Sequence, residues 1–254
     1  MVRGNLWKND LVAIAYSYQQ KAQPYLELIQ TTEQFINAKP GQLWLDLGCG
    51  SGRLIESIWK RSSGQIRKIV GLDISFRSLL IARSALKKNR DGLHRGKIEF
   101  MQADLSRNLG GIRPDSIDGV TAGLCLSYAE HWDTTEKKWD KTALISLFEE
   151  IHLVLKDGGS FIFSTNIPQP HFGLIALRSW KQIILTWKAP LFLGVSLVML
   201  FQSRWLKRAA AIGRFHYLPA GDIIRYLEST GFKFVTYQLT YAGQAWVFFA
   251  VKKT

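Results

Sequence analysis

Short apolar runs alternate with helical patterns of apolar and polar residues along the first two thirds of the chain. Five runs have the length and the β-branched or aromatic content of buried strands. They are Gln42–Leu47, Lys68–Asp73, Lys97–Asp104, Ile117–Leu126 and Ser160–Asn166. Apolar residues at helical spacing lie between them, and strands alternating with helices predict a parallel sheet covered by helices on both faces.

Local signals predict where some of these helices begin and end. Ser75 precedes the pattern SFRSLLIARSALKK and is a predicted N-cap. The helix TALISLFEEIHLVL is expected to end at the paired glycines Gly158 and Gly159.

The alternation stops near the C-terminus. Two strand-like runs, Phe232–Tyr241 and Gln244–Lys252, are separated only by Ala242 and Gly243. A connection this short permits an antiparallel hairpin and excludes a helical crossover. The last strand of the sheet is therefore predicted to be antiparallel.

Length and composition fit one globular domain spanning residues 1–254. The two cysteines are too few for a disulfide framework and lack metal-ligand spacing, so we expect a reducing, cytoplasmic location and no metal. The apolar stretch Leu11–Tyr16 is too short for an export signal.

The net charge of +13 favours an anionic partner, and much of it lies in one segment. Residues Gly158 to Gly221 contain no Asp or Glu. The seven positive residues there are Arg178, Lys181, Lys188, Arg204, Lys207, Arg208 and Arg214.

A glycine loop follows the first strand and opens a helix, which is an arrangement that holds ligands at a sheet edge. Its pattern is Asp46-x-Gly48-x-Gly50-x-Gly52. Arg53 stands where the dinucleotide fingerprint has its last glycine, and no Gly-Lys-Ser/Thr follows, so nicotinamide and P-loop sites are disfavoured.

Three acids lie near the ends of the first three strands: Asp46, Asp73 and Asp104. A carboxylate beside the loop attracts a cationic ligand, and one at the end of the second strand suits ribose hydroxyls. A third can accept a hydrogen bond from an adenine amino group. Together they predict a cationic adenosine derivative.

The motifs LDLGCGSG, VGLDIS and MQADL and the terminal hairpin resemble the class I S-adenosylmethionine-dependent methyltransferases, over residues 43–166 and 219–253. The similarity is to small-molecule enzymes of the quinone-biosynthesis type. It implies an α/β Rossmann-like, doubly wound seven-stranded sheet of order 3-2-1-4-5-7-6 with the last strand antiparallel, and S-adenosylmethionine as cofactor. The implied cofactor residues are Asp46, Gly48, Gly50 and Gly52 for the methionine part, Asp73 for ribose, Asp104, Ile74 and Leu105 for adenine, and Leu124 nearby.

The resemblance also implies an acceptor site after the fourth strand, in GLCLSYAEHW. Ser127 stands where many relatives have histidine, so His131 and Tyr128 are the predicted catalytic residues, ahead of Glu130. Methyl transfer depends chiefly on alignment and electrostatics, so a dedicated base is not always required. The alternative is that Tyr128 packs in the core and His131 is a solvated loop residue.

Residues 1–40 resemble a helical cap over the cofactor, in which Tyr18 best matches the tyrosine that closes on the methionine group. Tyr16, Tyr18 and Tyr25 could equally anchor a core.

Residues 168–218 form a basic, apolar insertion where relatives build a substrate lid. The thirteen uncharged residues 189–201 are too few to span a bilayer. Flanking bases and Trp180, Trp187 and Trp205 suit either a lid packed on the sheet domain or a helix in a lipid interface. Nucleic acid is the least favoured partner.

Both leading interpretations imply an apolar cavity. The sequence therefore predicts O- or C-methylation of a hydrophobic small molecule. The lipid-interface interpretation adds an anionic membrane surface as a partner and a location at the inner face of a membrane, and the packed-lid interpretation does not. Two alternatives stay open: a tRNA or rRNA methyltransferase, and a non-catalytic scaffold that binds the cofactor.

Overall fold

A seven-stranded sheet forms the centre of the computed structural model, which describes residues 5–88, 96–109, 111–171, 173–175, 177–179 and 201–253. The strands are β1 (Leu43–Leu47), β2 (Lys68–Asp73), β3 (Ile98–Gln102), β4 (Ile117–Gly123), β5 (His131–Asp133), β6 (Lys138–Asp140), β7 (Leu155–Asn166), β8 (Phe232–Thr240) and β9 (Ala245–Lys252). Among the described strands, β5 and β6 pair only with each other, as a small antiparallel ribbon.

The order of the large sheet is β3-β2-β1-β4-β7-β9-β8, and every pairing is parallel except those of β9. Once the ribbon strands are left out of the numbering, this is the predicted order 3-2-1-4-5-7-6, so the fold prediction is confirmed. Leu47 pairs with Leu72 and Asp73 with Gln102, which brings the carboxyl ends of β1, β2 and β3 to one edge.

Helices cover both faces of this sheet. The main ones are α1 (Asp10–Gln19), α2 (Gln23–Phe35), α3 (Arg53–Arg61), α4 (Phe76–Lys88), α5 (Thr142–Val154) and α6 (Ala220–Thr230). Alternate strand residues join opposite cores: Phe161 packs with α5 and α6, while Ile162 packs with α2 and α3. This period of two is what a doubly covered sheet requires.

Two predicted boundaries differ from the structure. Strand β4 ends at Gly123 rather than Leu126, because Leu124 has a positive φ of 53° that no strand continues through. Helix α5 ends at Val154, and Gly158 and Gly159 lie within β7, so the predicted glycine C-cap is wrong. The predicted N-cap at Ser75 is confirmed, because its Oγ accepts the Ser78 N–H at 3.2 Å.

The predicted subdivisions fall partly outside the described residues. Of the cap, 1–4 lie outside, and α1 and α2 occupy most of the rest. Of the lid, 172, 176 and 180–200 lie outside, including Trp180, Trp187 and nearly all of the apolar stretch 189–201. Among the helices that are described, none has the length and hydrophobicity needed to cross a bilayer.

Candidate functional site

The loop between β1 and α3 turns sharply at three glycines. Gly48, Gly50 and Gly52 have φ values of 60°, 52° and 81°, in the region that side chains disfavour. A Cβ on Gly48 would lie 2.4 Å from the Cβ of Cys125, so this glycine also permits close packing against the segment after β4. The loop leads directly into the N-terminus of α3. The free N–H groups and the positive end of the helix dipole there favour anionic or polar ligand groups.

Asp46 lies buried at the end of β1, with 1% of its surface exposed. The Thr121 hydroxyl donates to its Oδ1 at 2.8 Å, whereas its Oδ2 has no partner among the described residues. Burial raises the pKa of Asp46 from 3.8 to about 7, and the Thr121 hydrogen bond opposes that rise while Asp73 adds to it. A cationic ligand nearby would satisfy this carboxylate.

Asp73, at the end of β2, holds the glycine loop. Its Oδ2 accepts the N–H of Gly50 at 2.9 Å and its Oδ1 accepts the N–H of Ser75 at 2.8 Å. Burial raises the pKa of Asp73, and these two hydrogen bonds lower it. Each carboxylate oxygen retains a lone pair, so the group can still accept hydrogen bonds from a vicinal diol.

Asp104 follows β3 and is more exposed. Its Oδ1 accepts the N–H of Ser106 at 3.2 Å, and Lys8 lies 3.8 Å from its Oδ2.

Several of these groups meet at one cavity that is partly open to solvent. Eight of the predicted site residues line it: Gly48, Gly50, Asp73, Ile74, Asp104, Leu105, Leu124 and Tyr128. The remaining four, Tyr18, Asp46, Gly52 and His131, are not among its lining residues. Asp46 and Gly52 belong to the adjoining strand end and loop.

On the N-terminal side, Tyr16 lines the cavity and Tyr18 does not. The two positions point to different sides of α1 because two residues turn a helix by about 200°. The Tyr16 ring meets Trp7 edge-on at 5.8 Å, while Lys21 lies 4.9 Å from the Tyr18 ring. Trp7 and Asn5, which the sequence reasoning missed, also line the cavity.

Tyr128 also lines the cavity and lies in a short 3-10 turn after β4. Its hydroxyl oxygen accepts hydrogen bonds from Asn166 at 3.3 Å and from Tyr217 at 3.5 Å. Burial, with Tyr217 beside it, raises the pKa of Tyr128 well above its ordinary value. The Trp7 ring packs 4.8 Å from the Tyr128 ring, so the cavity has an aromatic boundary.

The polar residues near Tyr128 in sequence do not line the cavity. The side chain of Ser127 bonds to Thr165. Glu130 forms a bidentate ion pair with Arg214. His131 lies in the β5–β6 ribbon, where its Nδ1 is 2.8 Å from Asp140 and its side chain is 43% exposed.

The arrangement fits S-adenosylmethionine. The glycine cradle, the Asp73 diol acceptor and the Asp104 carboxylate border one cavity, and the buried Asp46 carboxyl group lies on the strand that leads into the cradle. The ionised Asp46 would attract a sulfonium or ammonium group.

Comparisons with known proteins agree with this fit. Residues 45–163 match the family model of a methyltransferase domain. A comparison with curated protein sequences finds no significant match.

Solved structures share the fold. An S-adenosylmethionine-dependent methyltransferase from Mesorhizobium loti is 20% identical, with a TM-score of 0.58, covering 92% of this chain and all of that one. Haemonchus contortus phosphoethanolamine N-methyltransferase 2 in complex with S-adenosyl-L-methionine is 16% identical, with a TM-score of 0.62, covering 97% and 58%. The [4+2]-cyclase SpnF is 13% identical, with a TM-score of 0.59, covering 96% and 93%. Identities this low establish the fold alone.

Proposed function

We propose, from the premise that this chain is an S-adenosylmethionine-dependent methyltransferase, that it methylates an oxygen or carbon of a hydrophobic small molecule. The observation that carries the proposal is the composition of the cavity beyond the glycine loop. Trp7, Tyr16, Leu124, Tyr128 and Ala129 line it there, and such a surface suits an apolar acceptor.

The cofactor residues keep the roles that the resemblance implies. Asp46 and the glycine loop would hold the methionine part, Asp73 the ribose, and Asp104 the adenine between Ile74 and Leu105. When bound, the cofactor supplies an electrophilic methyl group. We assign the covering role to Tyr16 in place of Tyr18, because Tyr16 borders the cavity.

The geometry favours catalysis by alignment over catalysis by a dedicated base. Among the described lining residues there is no histidine or lysine. Tyr128 keeps its proton because its pKa is raised, so it would orient an acceptor by a hydrogen bond. His131 would need to move from the ribbon to reach the cavity. An acceptor that arrives already nucleophilic, such as an enolate or phenolate, suits this site.

Two alternatives have a specific observation behind them. The basic segment 158–221 is the reason to retain a tRNA or rRNA acceptor. The [4+2]-cyclase SpnF shares the fold, and this supports the second alternative, a scaffold that binds the cofactor without methyl transfer. A hydrophobic acceptor would be available at the inner face of a membrane. We therefore propose that the protein is cytoplasmic and acts at that face.

Titration calorimetry with S-adenosylmethionine tests the cofactor site. We expect Asp73→Asn to bind about 10- to 100-fold more weakly, because charge-assisted hydrogen bonds are each worth roughly 1.5–3 kcal/mol. Asp222→Asn, which removes a carboxylate from the exposed Asp222–Arg225 pair on α6, is the matched control and should bind like the wild type. Equal affinity of the Asp73 variant and the wild type would contradict the assignment.

Release of labelled methyl groups then separates the acceptors. We expect transfer to lipophilic phenol and quinol pools and none to RNA. Transfer to RNA alone would support the nucleic-acid alternative. Cofactor binding without transfer to any pool would support the scaffold.

A further inference from the structure

Residues 201–211 form a helix with two sharply different faces. Gln202, Leu206 and Ala209 are buried, at spacings of four and three residues that place them on one side. The exposed positions follow the same period and continue into the next residue: Phe201, Arg204, Lys207, Arg208, Ala211 and Ile212. We call this exposed set the outer face.

The buried side packs behind the aromatic wall of the cavity. Leu206, Ala209 and Phe215 form a cluster against which Trp7 and Tyr128 pack. Trp205, which the sequence suggested as an interfacial residue, instead turns inward and meets the Phe215 ring at 5.1 Å. The helix is therefore fixed to the domain, and its outer face is left without a place in the core.

The outer face combines cations with large apolar groups. No carboxylate among the described residues forms an ion pair with Arg204, Lys207 or Arg208. Phe201 is 72% exposed and Ile212 is 51% exposed, at the two ends of the basic stripe. The surrounding sequence, from Gly158 to Gly221, has no acid to neutralise the stripe.

We propose that the outer face binds the surface of an anionic phospholipid bilayer. Arg204, Lys207 and Arg208 contact the headgroup phosphates, and Phe201 and Ile212 enter the boundary with the acyl chains. A basic face bordered by large apolar residues is the composition of interfacial helices. Phosphate alone, as in RNA, would use the cations but would leave Phe201 and Ile212 in water.

This surface goes beyond the proposed methyl transfer and does not require it. It does explain how a lipophilic acceptor would reach the enzyme, because the same helix borders the bilayer on one side and the cavity wall on the other. Exposed Leu177, at 63%, and exposed Arg178 carry the same chemistry elsewhere in the insertion.

Vesicle flotation of the full chain tests the proposal. We expect the protein to float with phosphatidylcholine vesicles that contain phosphatidylglycerol and to stay behind with phosphatidylcholine alone. The triple variant Arg204→Gln, Lys207→Gln, Arg208→Gln should partition about a hundredfold less, since each basic residue near an anionic surface contributes severalfold. Phe201→Ser with Ile212→Ser should also weaken flotation, although every charge is kept.

The control removes the same charge elsewhere. Lys39, Lys60 and Lys138 are exposed outside this helix, and changing all three to glutamine should leave flotation nearly unchanged. Equal loss in control and outer-face variants would overturn the proposal in favour of general charge attraction. RNA binding that depends on the outer face, with no flotation of the wild type, would overturn it in favour of nucleic acid.

Cofactor calorimetry keeps this test separate from the proposed function. Variants that bind S-adenosylmethionine like the wild type are folded, so their flotation reports the surface alone. A wild type that binds cofactor but never floats contradicts the membrane surface and leaves methyl transfer standing. A wild type that floats but transfers no methyl group supports the membrane surface and contradicts the proposed methyl transfer.

Discussion

Asp46 shows how a site residue is tuned by its surroundings. It is almost completely buried, and one of its oxygens has no partner among the described residues. Burial raises the pKa of its carboxyl group to about 7, and a bound cation would lower that pKa again. The same burial would strengthen its attraction to a bound sulfonium or ammonium group.

This environment makes the stability of the cofactor-free protein depend on pH. The pKa of Asp46 is higher in the folded chain than its ordinary 3.8, so the folded state binds the proton more tightly. The protonated Asp46 therefore adds to the free energy of unfolding below about pH 4. This stabilisation, up to roughly 4 kcal/mol, is lost as the pH rises to about 7. Urea denaturation across this range should show the free energy of unfolding falling, and Asp46→Asn should reduce the slope.

Asp73 contributes in the same direction, because its pKa is also raised, so some slope should survive in the variant. Cofactor affinity of the wild type should change in the opposite sense and rise towards neutral pH, since the ionised carboxylate is the form that attracts a cation. An unchanged slope in Asp46→Asn would exclude this account of Asp46.

At the scale of elements, the glycine loop is where backbone conformation and site geometry meet. Gly48 must adopt a positive φ and also leave room for Cys125. Gly158 has a similar φ of 74° within β7, but no atom of the described residues lies within 4 Å of where its Cβ would be. An alanine at Gly158 would therefore introduce backbone strain alone, whereas an alanine at Gly48 would introduce both backbone strain and a steric clash.

Gly48→Ala should be the more damaging of the two substitutions. Both variants incur the left-handed strain of about 1–2 kcal/mol, whereas Gly48→Ala also drives a Cβ to 2.4 Å from Cys125. We expect Gly48→Ala to lose cofactor binding at least tenfold, measured by calorimetry, and Gly158→Ala to retain it. Cys125→Gly should partly restore binding to Gly48→Ala; failure to do so, with both proteins folded, would place the cause elsewhere.

Elements whose signals are local could be predicted from the sequence. The strands themselves and the acids Asp73 and Asp104 at the cavity follow from apolar runs that end in a polar residue, whereas the strand order was implied by the family resemblance. Tyr16 and Tyr18 could not be told apart, because the phase of α1 against the cavity is set by tertiary packing. The start of β7 was missed because Gly158 and Gly159 give the same local signal in an irregular strand as at a helix end.

At the scale of the molecule, one buried ion pair connects the end of the basic insertion to the cavity wall. Gly213, with a φ of 75°, ends the helix of residues 201–211 and turns Arg214 inward. The Arg214 side chain is 4% exposed and forms its ion pair with Glu130. Its guanidinium also lies 4.9 Å from the Trp139 ring and 5.5 Å from the Trp205 ring.

This connection could not be predicted from the sequence. The two residues are 84 positions apart, and no sequence pattern around either residue predicts that they form an ion pair. In the sequence, Arg214 is one of seven basic residues in the segment from Gly158 to Gly221. Glu130 is a catalytic candidate ranked below His131 and Tyr128. We expect both to act as positioning residues, because Phe215, next to Arg214, packs edge-on against the Tyr128 ring at 5.0 Å, and Tyr128 lines the cavity.

Removing only one partner of the Arg214–Glu130 ion pair should lower the free energy of unfolding more than replacing both partners. Arg214→Met leaves a largely buried carboxylate without its partner, and we expect the free energy of unfolding to fall by about 3–5 kcal/mol. Arg214→Met combined with Glu130→Gln should recover at least about 1 kcal/mol of that loss, measured by urea denaturation. Arg214→Lys should not substitute, since it loses the bidentate geometry and the ring contacts.

The exposed pair of Lys138 and Glu136 serves as the control cycle. Both side chains are 62% exposed, so their coupling should stay below about 1 kcal/mol. In Arg214→Lys we also expect the KM for the acceptor to rise more than kcat falls, because Phe215, next to Arg214, packs on Tyr128, which we assign to the acceptor. Equal coupling in both cycles, or a loss confined to cofactor affinity, would contradict a positioning role, since the pair connects the insertion to the acceptor side of the cavity.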